Sequence, residues 1–364
     1  IYVINTSWGH TGWASQDNEE RQYIDFLIQK TYHYIQNKGQ FDLSLQITIP
    51  NEWEKLAPIN VGYTAGIEST KIAPEWIEKC NMMDKIDNNT KAVVGNASVQ
   101  TPVQFVGYPA KQVEKEDVEL ELETDFNFLT VSQWGPRKNM GNTIAWFVEN
   151  FKDNPNVGLI VKGFMKNNAT ADRMRSENAI KNMIPEDAKC KVYLLHGDLS
   201  DEQMHGLYSH EKVKSLICIS NAEGWGLPMY EASYTGLPIV SINWGGQCDF
   251  LNVPTKQRKK GSKNKTSIVN KPHFCEVEYS IGPIQKEAVW QGVLVADSMW
   301  AYPDKDSYQK CLTKVYKDYD RYEKMAVKLK EFVKKEYEAD KQYDMFANAV
   351  LKEEVKEEQV VNFD

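Results

Sequence analysis

The sequence predicts an α/β protein built on parallel sheets, and three observations lead there. From residue 126 onward, short apolar, β-rich runs alternate regularly with helical periods. Strands buried under helices on both faces are spelled that way. Secondly, the apolar run VKSLICIS (213–220) leads into a glycine-spaced turn, a short helix and another apolar run. Finally, 364 residues suffice for two domains of ordinary size.

In chain order, residues 1–5 (IYVIN) read as a first strand, followed by a loop that contains Gly9, His10 and Gly12. His10 in such a loop is a base, a ligand or simply a solvated side chain. A helix follows over 18–36, with Tyr23, Phe26, Leu27 and Ile35 at helical spacing and Gly39 beyond its end. Strands are expected at 43–47 and 60–64, and a helix at 74–80, which Glu68 could cap. After a strand start at 83–86 the pattern thins into polar, turn-like residues, as if a strand–helix unit were lost or a loop omitted. A further strand is expected at 103–109, and the acidic run 114–125 reads as a solvated linker.

The second half is more regular. Strands are predicted at 126–131, 157–162, 191–195 and 213–220, with helices at 140–150, 171–182 and 201–208 between them. The turn Glu223-Gly224-Trp225-Gly226 then opens a helix at Leu227-Pro228, which Gly236 stops. Strand, glycine turn and helix together make an anion site, because orphan amides and the helix dipole favour a phosphate there. Glu223 and Glu231, eight residues apart, add carboxylates suited to hydroxyl donors flanking such a phosphate. Arg137 and Lys138 stand just before the helix at 140–150, a poor place for cations unless an anion lies between. Residues 255–271 form a basic insert read as a mobile surface loop, 290–295 give a last strand, and 308–356 are helical.

Composition narrows the function classes. The net charge of −8 argues against wholesale wrapping of nucleic acid, though not against a local basic surface. Six cysteines are scattered without metal or redox spacing, which points to a reducing, cytoplasmic compartment. No apolar run reaches membrane-spanning length and no signal peptide is visible. Asp318-Tyr319-Asp320 matches a metal-binding pattern of another fold, but on a charged helix it reads as a solvated face.

The spelling from Glu223 to Leu251 resembles the donor-binding signature of retaining glycosyltransferases of family 4 (glycosyl transferases group 1), and is similar to members from phages and large DNA viruses. The resemblance implies the GT-B fold: two Rossmann-like domains around a donor cleft, with a terminal helix crossing back to the first. The boundaries expected are 1–125 for the acceptor domain, 126–330 for the nucleotide-sugar domain and 331–364 for the returning helix.

It also implies the roles of residues. Arg137 and Lys138 would meet the donor diphosphate, Glu223 the sugar hydroxyls and Glu231 the ribose diol. Gly224, Trp225, Gly226 and Leu227 would line the anion turn, and Gly9 and Gly12 the facing loop. His196-Gly197-Asp198 would hold the nucleobase, chiefly through backbone at Gly197. The family's sugar-contacting histidine is missing, and Glu68 or Thr64 would stand in for it. The reaction implied moves a sugar from a nucleoside-diphosphate sugar with retention, and needs no metal and no cofactor. A glycan, a protein and a hydroxymethylated base of viral DNA all remain open as acceptor, and the oligomeric state is open too. A non-catalytic glycan-binding subunit and a sugar-nucleotide epimerase are the alternatives.

Overall fold

The computed structural model describes residues 1–5, 17–65, 68–88, 99–258 and 266–351. The first half contains α1 (Glu19–Gln36), β1 (Leu43–Ile47), β2 (Ile59–Thr64), α2 (Pro74–Met82), β3 (Lys85–Asn88) and β4 (Val103–Phe105). Its strands form one parallel sheet in the order β1-β2-β3-β4. Asn18 caps α1 by accepting from the Arg21 amide. Trp53 is fully buried against Gly62, where any Cβ would fall 2.5 Å from the indole.

The second half runs β5 (Phe126–Val131), α3 (Met140–Phe151), β6 (Val157–Lys162), α4 (Thr170–Lys181), β7 (Lys191–Leu195), α5 (Asp201–Tyr208), β8 (Val213–Cys218), α6 (Leu227–Thr235), β9 (Ile239–Ile242) and α7 (Cys248–Leu251). A hairpin of β10 (Asn252–Arg258) and β11 (Thr266–Pro272) follows, then β12 (Cys275–Val277), β13 (Tyr279–Pro283) and β14 (Met299–Pro303). Three helices end the described chain: α8 (Lys305–Lys317), α9 (Tyr319–Glu336) and α10 (Ala339–Leu351).

The second sheet is parallel throughout, in the order β7-β6-β5-β8-β9-β12. Numbered along the chain this is 3-2-1-4-5-6, the doubly wound order in which ligands bind where the winding reverses. The reversal lies between β5 and β8. Alternate residues of each strand feed opposite cores, as a period of two requires. Phe128, Leu159 and Ile217 pack with Ile144, Phe147 and Leu312 on one side. Leu129, Ile160 and Leu216 pack with Leu207, Met229, Tyr230 and Leu329 on the other.

Several expectations need correction. Residues 1–5 form no strand; Tyr2 instead stacks on Tyr34 of α1, ring centroids 4.5 Å apart. In α1 only Leu27 of the four periodic residues is buried, while Tyr23, Phe26 and Ile35 are exposed. The acidic linker is not simply solvated, because Leu120 and Leu122 pack on the second core. Its backbone straps α5, with the Glu116 amide donating to the Glu202 carbonyl at 3.2 Å. Gly206 permits that approach: a Cβ there would lie 1.8 Å from the Glu116 carbonyl oxygen.

The basic insert contributes to the antiparallel ladder of β10 and β11; residues 259–265 lie outside the described residues. Residues 290–295 form a turn, not a strand, with Gly292 in the left-handed region at φ 76°. The last strand is β14, paired with β13. Helix α2 is capped at Ala73 with no side-chain bond, so Glu68 does not cap it. The expected terminal helix from 331 is in fact the end of α9 and the separate α10, whose Phe346 meets Tyr63 of β2 edge-on at 5.7 Å.

Candidate active site

The loops that follow β5 and β8 meet at the winding reversal of the second sheet. Polar backbone contacts stitch them together. The Asn221 amide donates to the Arg137 carbonyl at 2.8 Å, and Asn221 Nδ2 donates to the Pro136 carbonyl at 3.2 Å. Asn139 Nδ2 returns a bond to the Ile219 carbonyl at 3.2 Å. Asn139 holds φ 55°, a left-handed conformation that asparagine tolerates better than most residues. Sequence reasoning missed both asparagines, although an asparagine directly before a helix is a usable sign of such a turn.

Four charges converge on this seam. Glu223 is 7% exposed, and its Oε1 accepts from Lys138 Nζ at 2.6 Å. Arg137 Nη1 reaches Glu223 Oε2 at 3.2 Å and the Ala222 carbonyl at 2.8 Å. On its other edge, Arg137 Nε meets Glu68 Oε2 at 3.0 Å. Burial favours the neutral form of Glu223, yet Lys138 and Arg137 outweigh it and hold the carboxyl below its ordinary range. At Glu68 burial wins instead, and the carboxyl is pushed up despite Arg137 and an N–H bond from Gly224. The anion that cations before α3 demanded is therefore present within the chain.

The glycine turn has the expected shape. Gly226 sits at φ 87° and precedes α6, whose amino-terminal end carries no side-chain cap. A Cβ on Gly246 would stand 1.9 Å from the Gly224 carbonyl oxygen, so the turn after β9 closes tightly on the one after β8. Leu227 is half exposed. Trp225 departs from expectation: its ring is buried among Tyr108, Tyr230, Phe250 and Tyr337, so only its backbone faces the turn.

Glu231 stands apart from the four charges. Its Oε2 accepts from the Tyr208 hydroxyl at 2.9 Å, and burial raises its pKa. It lines a small cleft of about 10 Å³ with Lys111 and Val113 of the strap, Asp201, Met204, His205, Tyr208 and Tyr234. Gly197, at φ 112°, lies beyond β7, and its carbonyl accepts from the buried Lys162 ammonium. His196 of the same loop bonds the buried Asp172 at 3.1 Å, a structural pairing rather than an open site. Gly9, His10 and Gly12 lie outside the described residues. Among the described residues no cluster of three or more His, Cys, Asp or Glu is placed to hold a metal.

Residues 112–255, which include both loops, match the family model for glycosyl transferases group 1. No curated protein matches the chain in sequence. Among solved structures it is similar to sucrose-phosphate synthase from Thermosynechococcus elongatus, at 12% identity and a TM-score of 0.59, over 88% of this chain and 75% of that one. It is also similar to a mutant of S. aureus TarM in complex with fondaparinux, alpha-GlcNAc-glycerol and UDP, at 13% identity and a TM-score of 0.56. That match covers 88% of this chain, which spans 58% of the TarM chain. Likeness at this identity establishes the α/β architecture of GT-B glycosyltransferases, with two parallel sheets. No helix among the described residues is long and apolar enough to cross a membrane.

Proposed function

We propose that the protein moves a sugar from a nucleoside-diphosphate sugar to an acceptor hydroxyl with retention of configuration. One observation carries this reading: Arg137 and Lys138 converge with Glu223 at the winding reversal, within the stretch that matches the group 1 family model. Departure of the diphosphate builds negative charge on its oxygens, and fixed cations and amides aimed there lower the barrier. Arg137, Lys138 and the amides of Gly224 to Leu227 supply that stabilisation without a divalent metal. Lys138 and Arg137 must then share themselves between Glu223 and the phosphates, while Glu223 turns its oxygens to the sugar hydroxyls. Glu231 takes the ribose diol in place of the Tyr208 hydroxyl, and the loop at Gly197 holds the base through its backbone. The anomeric carbon–oxygen bond to phosphate breaks, the acceptor oxygen bonds that carbon, and its proton passes to the departing phosphate.

The boundaries proposed are an acceptor domain to residue 125, a donor domain to 330 and a terminal element that returns to the first sheet. A glycan acceptor is favoured over DNA by the net charge of −8 and by the fondaparinux and alpha-GlcNAc-glycerol of the TarM complex. UDP in that complex makes uridine nucleotides the first donors to try.

A thermal-shift panel of UDP-glucose, UDP-GlcNAc and GDP-mannose, followed by assay of slow donor hydrolysis, tests the reading. At least one nucleotide sugar should raise the melting temperature and be hydrolysed to free diphosphate. Silence across a full panel in both assays would overturn it, and conversion of donor into its epimer without acceptor would reassign the protein as an epimerase.

A further inference from the structure

Glu68 belongs to the first half of the chain, yet its carboxylate lies among the donors that the second half offers to an anion. Its Oε2 takes the Nε edge of Arg137 at 3.0 Å, and it also accepts the Gly224 amide. The other edge of Arg137 is spent on Glu223 and the Ala222 carbonyl. So the guanidinium edge and the turn amide left for a phosphate are the two donors already used by Glu68.

The loop that carries Glu68 is anchored to the second half at several points. Trp300 Nε1 donates to the Glu68 carbonyl at 2.7 Å. The Met299 amide donates to Thr70 Oγ1 at 2.9 Å, and the Thr70 amide donates to the Met299 carbonyl at 3.3 Å. Lys71 pairs with Asp297, and Ala73 and Trp76 pack on Val293. This seam holds a carboxylate in place where charge matching alone would suffice only loosely. With Glu68 in place, two carboxylates balance two cations. A diphosphate arriving beside it would put surplus negative charge into a half-buried space, at high electrostatic cost.

We propose that Glu68 is an internal occupant of the anion seat, and that a diphosphate binds by displacing it from Arg137 and Gly224. This rests on the donor-site reading given above and adds the residue that sets donor affinity. Displacement swings only the Glu68 side chain away, because the anchors of the 68–71 loop do not involve its carboxylate.

Titration calorimetry with inorganic pyrophosphate and with UDP, on the full chain, tests the idea. Glu68→Gln keeps the shape and removes the competing charge, and should bind pyrophosphate about tenfold more tightly than the unaltered protein. Lys71→Ala loosens the loop without touching the seat, and should tighten binding about two- to threefold; it serves also if Glu68→Gln fails to fold. Unchanged or weaker binding in these variants, with the unaltered protein still binding, overturns the displacement model and leaves the donor site standing. No binding of either probe to any form overturns both.

Discussion

The Lys138 ammonium lies 2.6 Å from Glu223 Oε1, across the seam between two loops that neighbour each other in space but not in sequence. The pair is mostly shielded, with 22% of the Lys138 side chain and 8% of the Glu223 side chain exposed. Screening by solvent is therefore weak, and the geometry survives as a fixed dipole facing the turn. Cations held in this way are already near the place where charge would develop on a ligand, and only their carboxylate partners have to turn.

Lys138 and Glu231 should fail differently when removed. Lys138→Ala deletes a cation aimed at the departing phosphate and should lower kcat by about 100- to 1,000-fold, with a smaller effect on KM. Glu231→Ala deletes an acceptor for the ribose diol and should weaken donor binding about tenfold, roughly one charge-assisted hydrogen bond. Steady-state kinetics with the donor found by thermal shift check both. The reverse pattern would contradict the assignment of roles.

Asp87 predicts a pH dependence of stability. It is fully buried in β3, neither carboxylate oxygen has a hydrogen-bond partner among the described residues, and burial pushes its pKa up from 3.8 to about 6. Between those values the unfolded chain has lost the proton that the folded chain still holds, so stability falls as pH rises through that window. Asp87→Asn mimics the neutral form, and should raise the melting temperature at pH 7.5 while matching the unaltered protein near pH 4. The gain is bounded at roughly 3 kcal/mol by the size of the shift. Urea melts at the two pH values measure it, and an equal effect at both would remove the titration as its cause.

The strap over α5 has its own weak point at Gly206. A methyl group there meets the Glu116 backbone carbonyl at 1.8 Å, so the strap or α5 must move. Gly206→Ala should cost about 1–3 kcal/mol in chemical denaturation, as overpacking generally does. It should also expose residues 111–118 to protease, since Lys111–Asp201 and Gln203–Glu116 depend on that approach. A substitution that leaves both measurements unchanged would show the strap to be incidental.

Strands β5 to β9 of the second sheet were legible as apolar runs between helices, whereas the short β12 was not. Strands β5, β6 and β7 fall at the residues where an apolar run starts and stops. The hairpin β10–β11 was not legible, since an exposed ladder rests on backbone pairing and leaves its side chains free to be lysines. Helix α1 misled in the other direction: its periodicity is real, but Tyr23, Phe26 and Ile35 face outward. Trp225 shows the same limit, as an aromatic in a glycine turn reads equally well as a ligand contact or as core.

By itself the sequence determined that residues 220–251 make a strand, a glycine turn and a helix, and that Arg137, Lys138 and Glu223 belong to the carboxyl ends of strands. Local spacing suffices for that, because turn chemistry and strand burial are written over a few residues. Tertiary structure alone decided the partners: that β5 lies beside β8, that Glu231 turns to Tyr208, and that Glu68 crosses from the other sheet to Arg137. Pairings between distant segments depend on strand order and loop docking, and neither leaves a periodic trace in a single chain.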